Sequence, residues 1–218
     1  MGIKAIVIGG SGATGKELVK QLIARSDVKK VRVLLRRPYF EPQEKLEEII
    51  VDFNRLADFS EHIEGDIAFS TLGTTIKDAG SQSAQWKIDH DYPLSFAALA
   101  KAKGVHTFVL LSSMQADPQA KFYYPRMKGA LEEAIRSLEF PSLTILRPGI
   151  IDRPNTDRLG EKVAVRAIKF FNQVGLFHKY RAIQTADLAK ALIVAGIDFP
   201  KDGIKLYEGP EILHGIQR

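Results

Sequence analysis

No cysteine occurs among the 218 residues. That excludes disulfides, thiolate nucleophiles and cysteine-bound metals, and it fits a reducing compartment. No apolar run nears the roughly 18 residues that a membrane helix needs, so no membrane span is expected. Met1-Gly2-Ile3 opens directly onto a strand pattern, with no secretory leader in view. Together these absences give the expectation of a cytoplasmic protein. Arginine-rich and aromatic-interleaved tracts are missing too. The net charge is only +5, and Arg36-Arg37 and Lys29-Lys30 are the sole adjacent pairs of their kind, so nucleic acid is not an expected partner. Internal repeats, low-complexity tracts and linkers are likewise absent.

What remains is an ordinary globular composition, 45% hydrophobic and 26% charged, in a length that suits one α/β domain. Strands are predicted over Ile3–Ile8, Val31–Leu35, Glu48–Val51, Asp66–Ser70, Val105–Leu111, Leu143–Leu146 and Ile204–Tyr207. Helices are predicted over Lys16–Arg25, Lys87–Lys103, Pro125–Leu138 and Asp187–Gly196, with Thr185 as a candidate cap. This alternation predicts an α/β, Rossmann-type doubly wound fold, a mainly parallel sheet with helices on both faces. Residues 1–218 read as a single domain. Residues 151–184 and 208–218 read as a small C-terminal lobe on the substrate side, over the carboxyl edge where open α/β sheets bind ligands. A helix near Glu161–Asn172 is predicted there, and Phe170, Phe171, Leu176, Phe177 and Tyr180 suit a substrate pocket, a lobe core or a subunit contact.

The strongest local signal follows the first strand. Gly9-Gly10-Ser11-Gly12-Ala13-Thr14-Gly15 leads into a helix and places glycines as G-x-x-G-x-x-G. Glycine can take positive φ and lets backbone approach a diphosphate, and the helix start offers free N–H groups to that anion. Gly10 and Gly15-Lys16 also fit most of a P-loop, but Glu17 stands where Ser or Thr would hold Mg²⁺. A dinucleotide is therefore the better-fitting ligand.

Other strand ends carry compatible groups. Arg36-Arg37 follows the second predicted strand, where a carboxylate would bind a ribose 2′-OH and arginine accommodates a 2′-phosphate. NADP(H) is expected ahead of NAD(H). Asp52 follows the third strand and could accept from an adenine amino group or simply occupy a surface turn. Leu72-Gly73, after the fourth strand, would let backbone lie against the cofactor.

Tyr124 and Lys128 stand four apart at a helix start and can share one face. A nearby ammonium favours phenolate, so the pair could move a proton to or from a carbonyl or alcohol oxygen, and Lys128 could also bind the nicotinamide ribose. Tyr123 has Met127 at the matching position, so Tyr124 is preferred. Ser112-Ser113 ends the fifth strand, where Ser113 is the candidate for polarising a substrate oxygen and either serine could instead cap the turn. His106 lies in an apolar strand pattern and reads as structural. Asp89-His90-Asp91 looks metal-like, but consecutive helix residues diverge, and no metal site is expected.

Gly9-x-x-Gly12-x-x-Gly15, Asp52, Ser112-Ser113, Tyr124-x-x-x-Lys128 and Arg147-Pro148-Gly149 stand in the order of the short-chain dehydrogenase/reductase superfamily. More narrowly, the chain resembles the atypical branch of NAD(P)H-binding proteins similar to the human Tat-interacting tumour-suppressor protein. That likeness includes Thr71–Thr75, Phe108–Ser113, Lys128-Gly129-x-Leu131-Glu132 and Asp152-Arg153. The resemblance implies that Ser11, Gly12, Ala13 and Thr14 line the diphosphate, within the cofactor-binding turn that Gly9 and Gly15 frame. It implies Arg36-Arg37 at a 2′-phosphate, Leu72 and Gly73 near the adenosine half, Tyr124 and Lys128 at the nicotinamide end, and Arg153 reaching the cofactor from the lobe; Asp52 and Pro148 are further candidate cofactor contacts. Two departures stand out. The superfamily often has asparagine in the helix after the fourth strand, where the nearest residue here is Asp89. Ser113 is followed by Met114-Gln115-Ala116 rather than a glycine turn. The expected function is an NADP(H)-dependent oxidoreductase acting on a small carbonyl or alcohol substrate. An NADP(H)-binding regulatory or scaffold protein and a sugar-nucleotide epimerase or dehydratase are the alternatives, and the oligomeric state stays open.

Overall fold

The first strand, β1 (Ile3–Ile8), divides its side chains between two cores. Ala5 and Val7 pack on one face of the sheet, Ile6 and Ile8 on the other, as the two-residue period of a strand requires. The computed structural model describes residues 2–152, 182–200 and 202–214. Among them β1 is followed by α1 (Ala13–Ala24), β2 (Val28–Leu35), β3 (Leu46–Ile50), β4 (Ile67–Ser70), the short helices α2 (Ile76–Ala79) and α3 (Gln82–Trp86), and α4 (Tyr92–Ala102). Then come β5 (Thr107–Leu111), α5 (Tyr123–Arg136), β6 (Ser142–Arg147), β7 (Ile151–Asp152), β8 (Ile183–Gln184), α6 (Thr185–Ile193), β9 (Gly203–Glu208) and α7 (Glu211–His214).

The main sheet runs β3-β2-β1-β4-β5-β6-β9, and every pairing in it is parallel. Winding reverses between β1 and β4, which leaves a crevice at their carboxyl ends. Leu18, Val19 and Leu22 of α1 and Leu188 and Leu192 of α6 cover one face. Phe96, Ala97 and Ala100 of α4 and Leu131 and Ile135 of α5 cover the other. Central strands buried on both sides need continuous apolar runs rather than alternation, and every residue of β4 and β5 is buried. The expected doubly wound α/β fold is the observed one.

Several local expectations change. Helix α1 starts at Ala13 rather than Lys16, so the last glycine of the loop already lies in its first turn. The single helix expected over Lys87–Lys103 is broken into pieces: Lys87–Asp91 forms one π-helical turn between α3 and α4. Such a wide turn re-aims side chains and recurs at functional sites; here it turns Asp89 fully inward, with 0% exposure. Gln184, not Thr185, is the cap residue of α6, and no side chain caps it. His106 is exposed ahead of β5 instead of sitting within a strand. Arg153, the helix expected near Glu161–Asn172 and the aromatic group from Phe170 to Tyr180 lie outside the described residues.

Candidate functional site

The glycine turn is shaped by close backbone contact. Gly9 has φ +77°, and a Cβ there would come within 2.5 Å of the Thr71 carbonyl carbon and the Leu72 nitrogen. A Cβ on Gly15 would lie 2.1 Å from the Gly9 carbonyl oxygen. Neither position has room for a side chain, so the turn, the start of α1 and the strap after β4 fit together as bare backbone. Gly12 occupies the cap position of α1 and donates its N–H to the Gly9 oxygen at 2.9 Å. No side chain caps α1, and no acidic residue stands in its first turn. The helix therefore keeps its leading N–H groups and the positive end of its dipole for an anion. That cradle fits a dinucleotide diphosphate.

Two cavities flank this turn and share Gly12 and the backbone of Thr71–Thr74 as a common wall. The smaller, about 240 Å³, adds Gly9, Ser11, Arg36, Phe53, Asp78, Ile88 and Tyr92. The larger, about 710 Å³, adds Ala13, Thr14, Ser112, Tyr124, Lys128 and Ile151 among others. Together they form a trough at the carboxyl ends of β1, β4 and β5, with Arg36 on the smaller cavity and Tyr124 and Lys128 on the larger.

At the arginine end both Arg36 and Arg37 are exposed, and only Arg36 lines the smaller cavity. Asp52 does not enter the cavity. Its Oδ1 accepts the Asn54 backbone N–H at 2.9 Å and the Asn54 side-chain amide at 2.8 Å, capping the 3₁₀ helix Phe53–His62. The Asn54 bonds hold its carboxyl below the ordinary aspartate range. Phe53 and Tyr92 were not singled out for the site from sequence. Their rings sit 5.4 Å apart, and both line the cavity. Each looked like one more apolar position of a helix or turn, and only a flat aromatic directly after a strand-end aspartate hinted otherwise.

At the other end, Tyr124 is the second residue of α5 and 39% exposed, while Lys128, one turn later, is 2% exposed. The Lys128 Nζ lies 5.8 Å from the centre of the Tyr124 ring, so the expected pair does share a face. Tyr123 points elsewhere, its hydroxyl donating to the Gln82 carbonyl; burial pushes its phenol above the ordinary value. Lys128 Nζ is 3.5 Å from Oδ2 of Asp89. Burial pushes the Asp89 carboxyl up, against the opposing pull of Lys128 and the Thr74 N–H.

The two serines part company. Ser112 lines the larger cavity, whereas Ser113 does not, and its hydroxyl reaches the Met114 carbonyl at 3.4 Å. Ser112 donates to Glu132 at 2.5 Å. Pro148 is buried and lines neither of these two cavities, its carbonyl accepting the Met114 N–H at 2.9 Å. Asp89 parts from its two neighbours: it faces Lys128, while His90 Nδ1 pairs with Asp91 Oδ1 at 2.8 Å. Among the described residues no group of three metal-binding side chains converges, and no helix is long and apolar enough to cross a membrane.

Residues 9–195 match the NAD(P)H-binding family. Protein HTATIP2 of Rattus norvegicus is 33% identical, over 95% of this chain and 87% of its own. Protein FMP52-1, mitochondrial, of Scheffersomyces stipitis is 32% identical over 96% of this chain and 97% of its own. Among solved structures, MoeE5 in complex with UDP-glucuronic acid and NAD superposes with a TM-score of 0.73 at 18% identity, covering 94% of this chain and 75% of MoeE5. These findings also correct the expected location. FMP52-1 and its fungal counterparts are named mitochondrial, and the cytoplasmic expectation falls. A chain without cysteine suits any reducing compartment, so that absence never distinguished between them.

Proposed function

The chain belongs to the NAD(P)H-binding family, as an atypical protein of the short-chain dehydrogenase/reductase type, and from that premise we propose that it is an NADP(H)-dependent oxidoreductase acting on a small carbonyl or alcohol substrate. The observation that carries this reading is the placing of Tyr124 and Lys128 on the same trough as the uncapped glycine turn. The turn residues Gly9, Ser11, Gly12, Ala13, Thr14 and Gly15 would hold the diphosphate. Leu72 and Gly73 would flank the adenosine half, and Arg36, aided by Arg37, would meet the 2′-phosphate. The nicotinamide, when bound, supplies or accepts the hydride. Tyr124 would give a proton to the substrate oxygen in reduction, or take it in oxidation, at its phenolic hydroxyl. Lys128 would hold a positive charge beside that phenol and bind ribose hydroxyls. Ser113 is the proposed donor to the substrate oxygen, which requires its hydroxyl to leave the long Met114 contact and turn into the larger cavity, which it does not line.

The test is a titration with NADPH and NADH, followed by NADPH consumption across aldehydes, ketones and quinones. NADPH should bind more tightly than NADH. Tyr124→Phe should cut turnover by about a hundredfold or more while cofactor still binds. Binding without turnover, unchanged by Tyr124→Phe, would overturn the enzyme reading; failure of both cofactors to bind would remove the premise.

One observation favours a second reading, a cofactor-binding regulatory protein with little turnover. The hydroxyl hydrogen of Ser112 is engaged by a buried carboxylate and that of Ser113 by a carbonyl, so neither serine donates into the trough as it stands.

A further inference from the structure

Asp89 is fully buried, yet its two oxygens face different parts of the site. Oδ1 accepts the Thr74 backbone N–H at 2.7 Å. The Thr74 carbonyl in turn accepts from Nε2 of Gln85 at 3.0 Å. Gln85 and Asp89 stand four residues apart, and together they hold both backbone polar groups of one residue. That residue belongs to the Thr71–Thr75 strap, which packs against Gly9 and walls both cavities. Oδ2 of Asp89 has no hydrogen-bond partner. It lies 3.5 Å from the Lys128 ammonium, where the two side chains are 0% and 3% exposed.

The remaining charges nearby are few. From α5 the carboxylate meets Lys128 and, at longer range, the phenol of Tyr123. On its own turn, His90 is taken up by Asp91. At 3.5 Å the Asp89–Lys128 contact is longer than a good charge-assisted hydrogen bond, so it acts mainly through charge. Removing one partner of a buried pair leaves the other charge uncompensated, which is costly.

We propose that Asp89 is a positioning residue: its carboxylate supplies the counter-charge to Lys128 within the trough and registers it to the strap, so that the grip on a nicotinamide cofactor depends on this buried charge pair. The proposal rests on cofactor binding and does not require turnover.

Asp89→Asn is the informative change, since the amide oxygen can still accept from Thr74 while the charge is lost. NADPH affinity is measured by fluorescence titration for the parent protein, Asp89→Asn, Gln85→Leu and each of these combined with Lys128→Met. Asp89→Asn should bind about tenfold more weakly than the parent, and should cost nothing further once Lys128→Met is present. Gln85→Leu, which loosens the strap without touching the charge, should weaken binding equally in both backgrounds. Asp89→Asn binding within about twofold of the parent, or an equal loss in both backgrounds, would overturn the proposal. Thermal unfolding of Asp89→Asn, Lys128→Met and the double variant provides a second arm that needs no cofactor. The two effects should be non-additive, and additivity would overturn the charge coupling. If Asp89→Asn alone fails to fold, recovery in the double variant supports the pair, and failure to recover overturns it. A protein that binds NADPH but consumes none would sink the oxidoreductase reading and leave this one standing.

Discussion

Ser112 donates its hydroxyl hydrogen to Oε1 of Glu132 across 2.5 Å, with both residues buried. The same carboxylate receives Nε and Nη2 of Arg147 at 2.9 and 2.7 Å, and Arg147 reaches on to Glu208 at 3.3 Å. One carboxylate thus joins the ends of β5 and β6 to α5, with β9 attached through Arg147. Its hydrogen bonds raise the Arg147 guanidinium above its ordinary range.

Glu132→Leu should be strongly destabilising, because it strands a half-buried guanidinium and a buried serine hydroxyl. Breaking a buried pair by removing one partner costs about 3 to 5 kcal/mol, and urea unfolding measures it. A loss under about 1 kcal/mol would mean that Glu208 alone satisfies Arg147.

Gly15→Ala should damage the cofactor cradle more than the fold. Its Cβ would meet the Gly9 oxygen at 2.1 Å, and the turn must shift to admit it. Overpacking of this kind costs about 1 to 3 kcal/mol. NADPH affinity should fall by more than about tenfold, because the diphosphate is bound by that backbone. Calorimetric titration beside thermal melts separates the two effects.

Arg36→Ser should weaken NADPH by about tenfold and leave NADH nearly unchanged, since only the former carries the 2′-phosphate. Arg37→Ser should do less, because Arg37 lies outside the cavity lining. The NADPH dependence on salt should flatten in Arg36→Ser. Equal losses for both cofactors would place the arginine elsewhere on the ligand.

Asp89 also carries a sign that stability measurements can read. Burial raises its carboxyl above the ordinary value despite Lys128. A raised value means the folded state binds the proton more readily than the unfolded chain. The resulting stabilisation is full below the unfolded value and is lost as pH rises through the folded one. The stability difference between Asp89→Asn and the parent should therefore move in the variant's favour from about pH 4 to about pH 7. A difference that stays flat, or moves the other way, would show that Lys128 outweighs burial.

Much of this molecule is legible in the order of its residues. Strands buried on both faces announce themselves as runs such as Phe108–Leu111, and glycine at positions 9, 12 and 15 reports backbone contact before any contact is seen. Tyr124 and Lys128 are readable as a pair because helix spacing alone puts them on one face. Asp52 is legible only as an alternative, since an aspartate after a strand serves a ligand and a helix cap equally well; here its Oδ1 accepts from Asn54. The π-helical turn was not foreseeable from a helical apolar pattern, so the inward course of Asp89 and its approach to Lys128 were not either.

Local chemistry, then, was determined by sequence: a glycine turn that must be bare, a parallel sheet that must be buried, and a tyrosine and lysine one turn apart. Those depend on neighbours within a few residues. The tertiary structure decided everything that depends on distant segments meeting. It turned Ser112 toward Glu132 and away from the role open to Ser113, put Arg36 but not Arg37 on the trough, and set Asp89 between Thr74 and Lys128. Such choices turn on burial and charge, which exist only once strands far apart in the chain lie side by side.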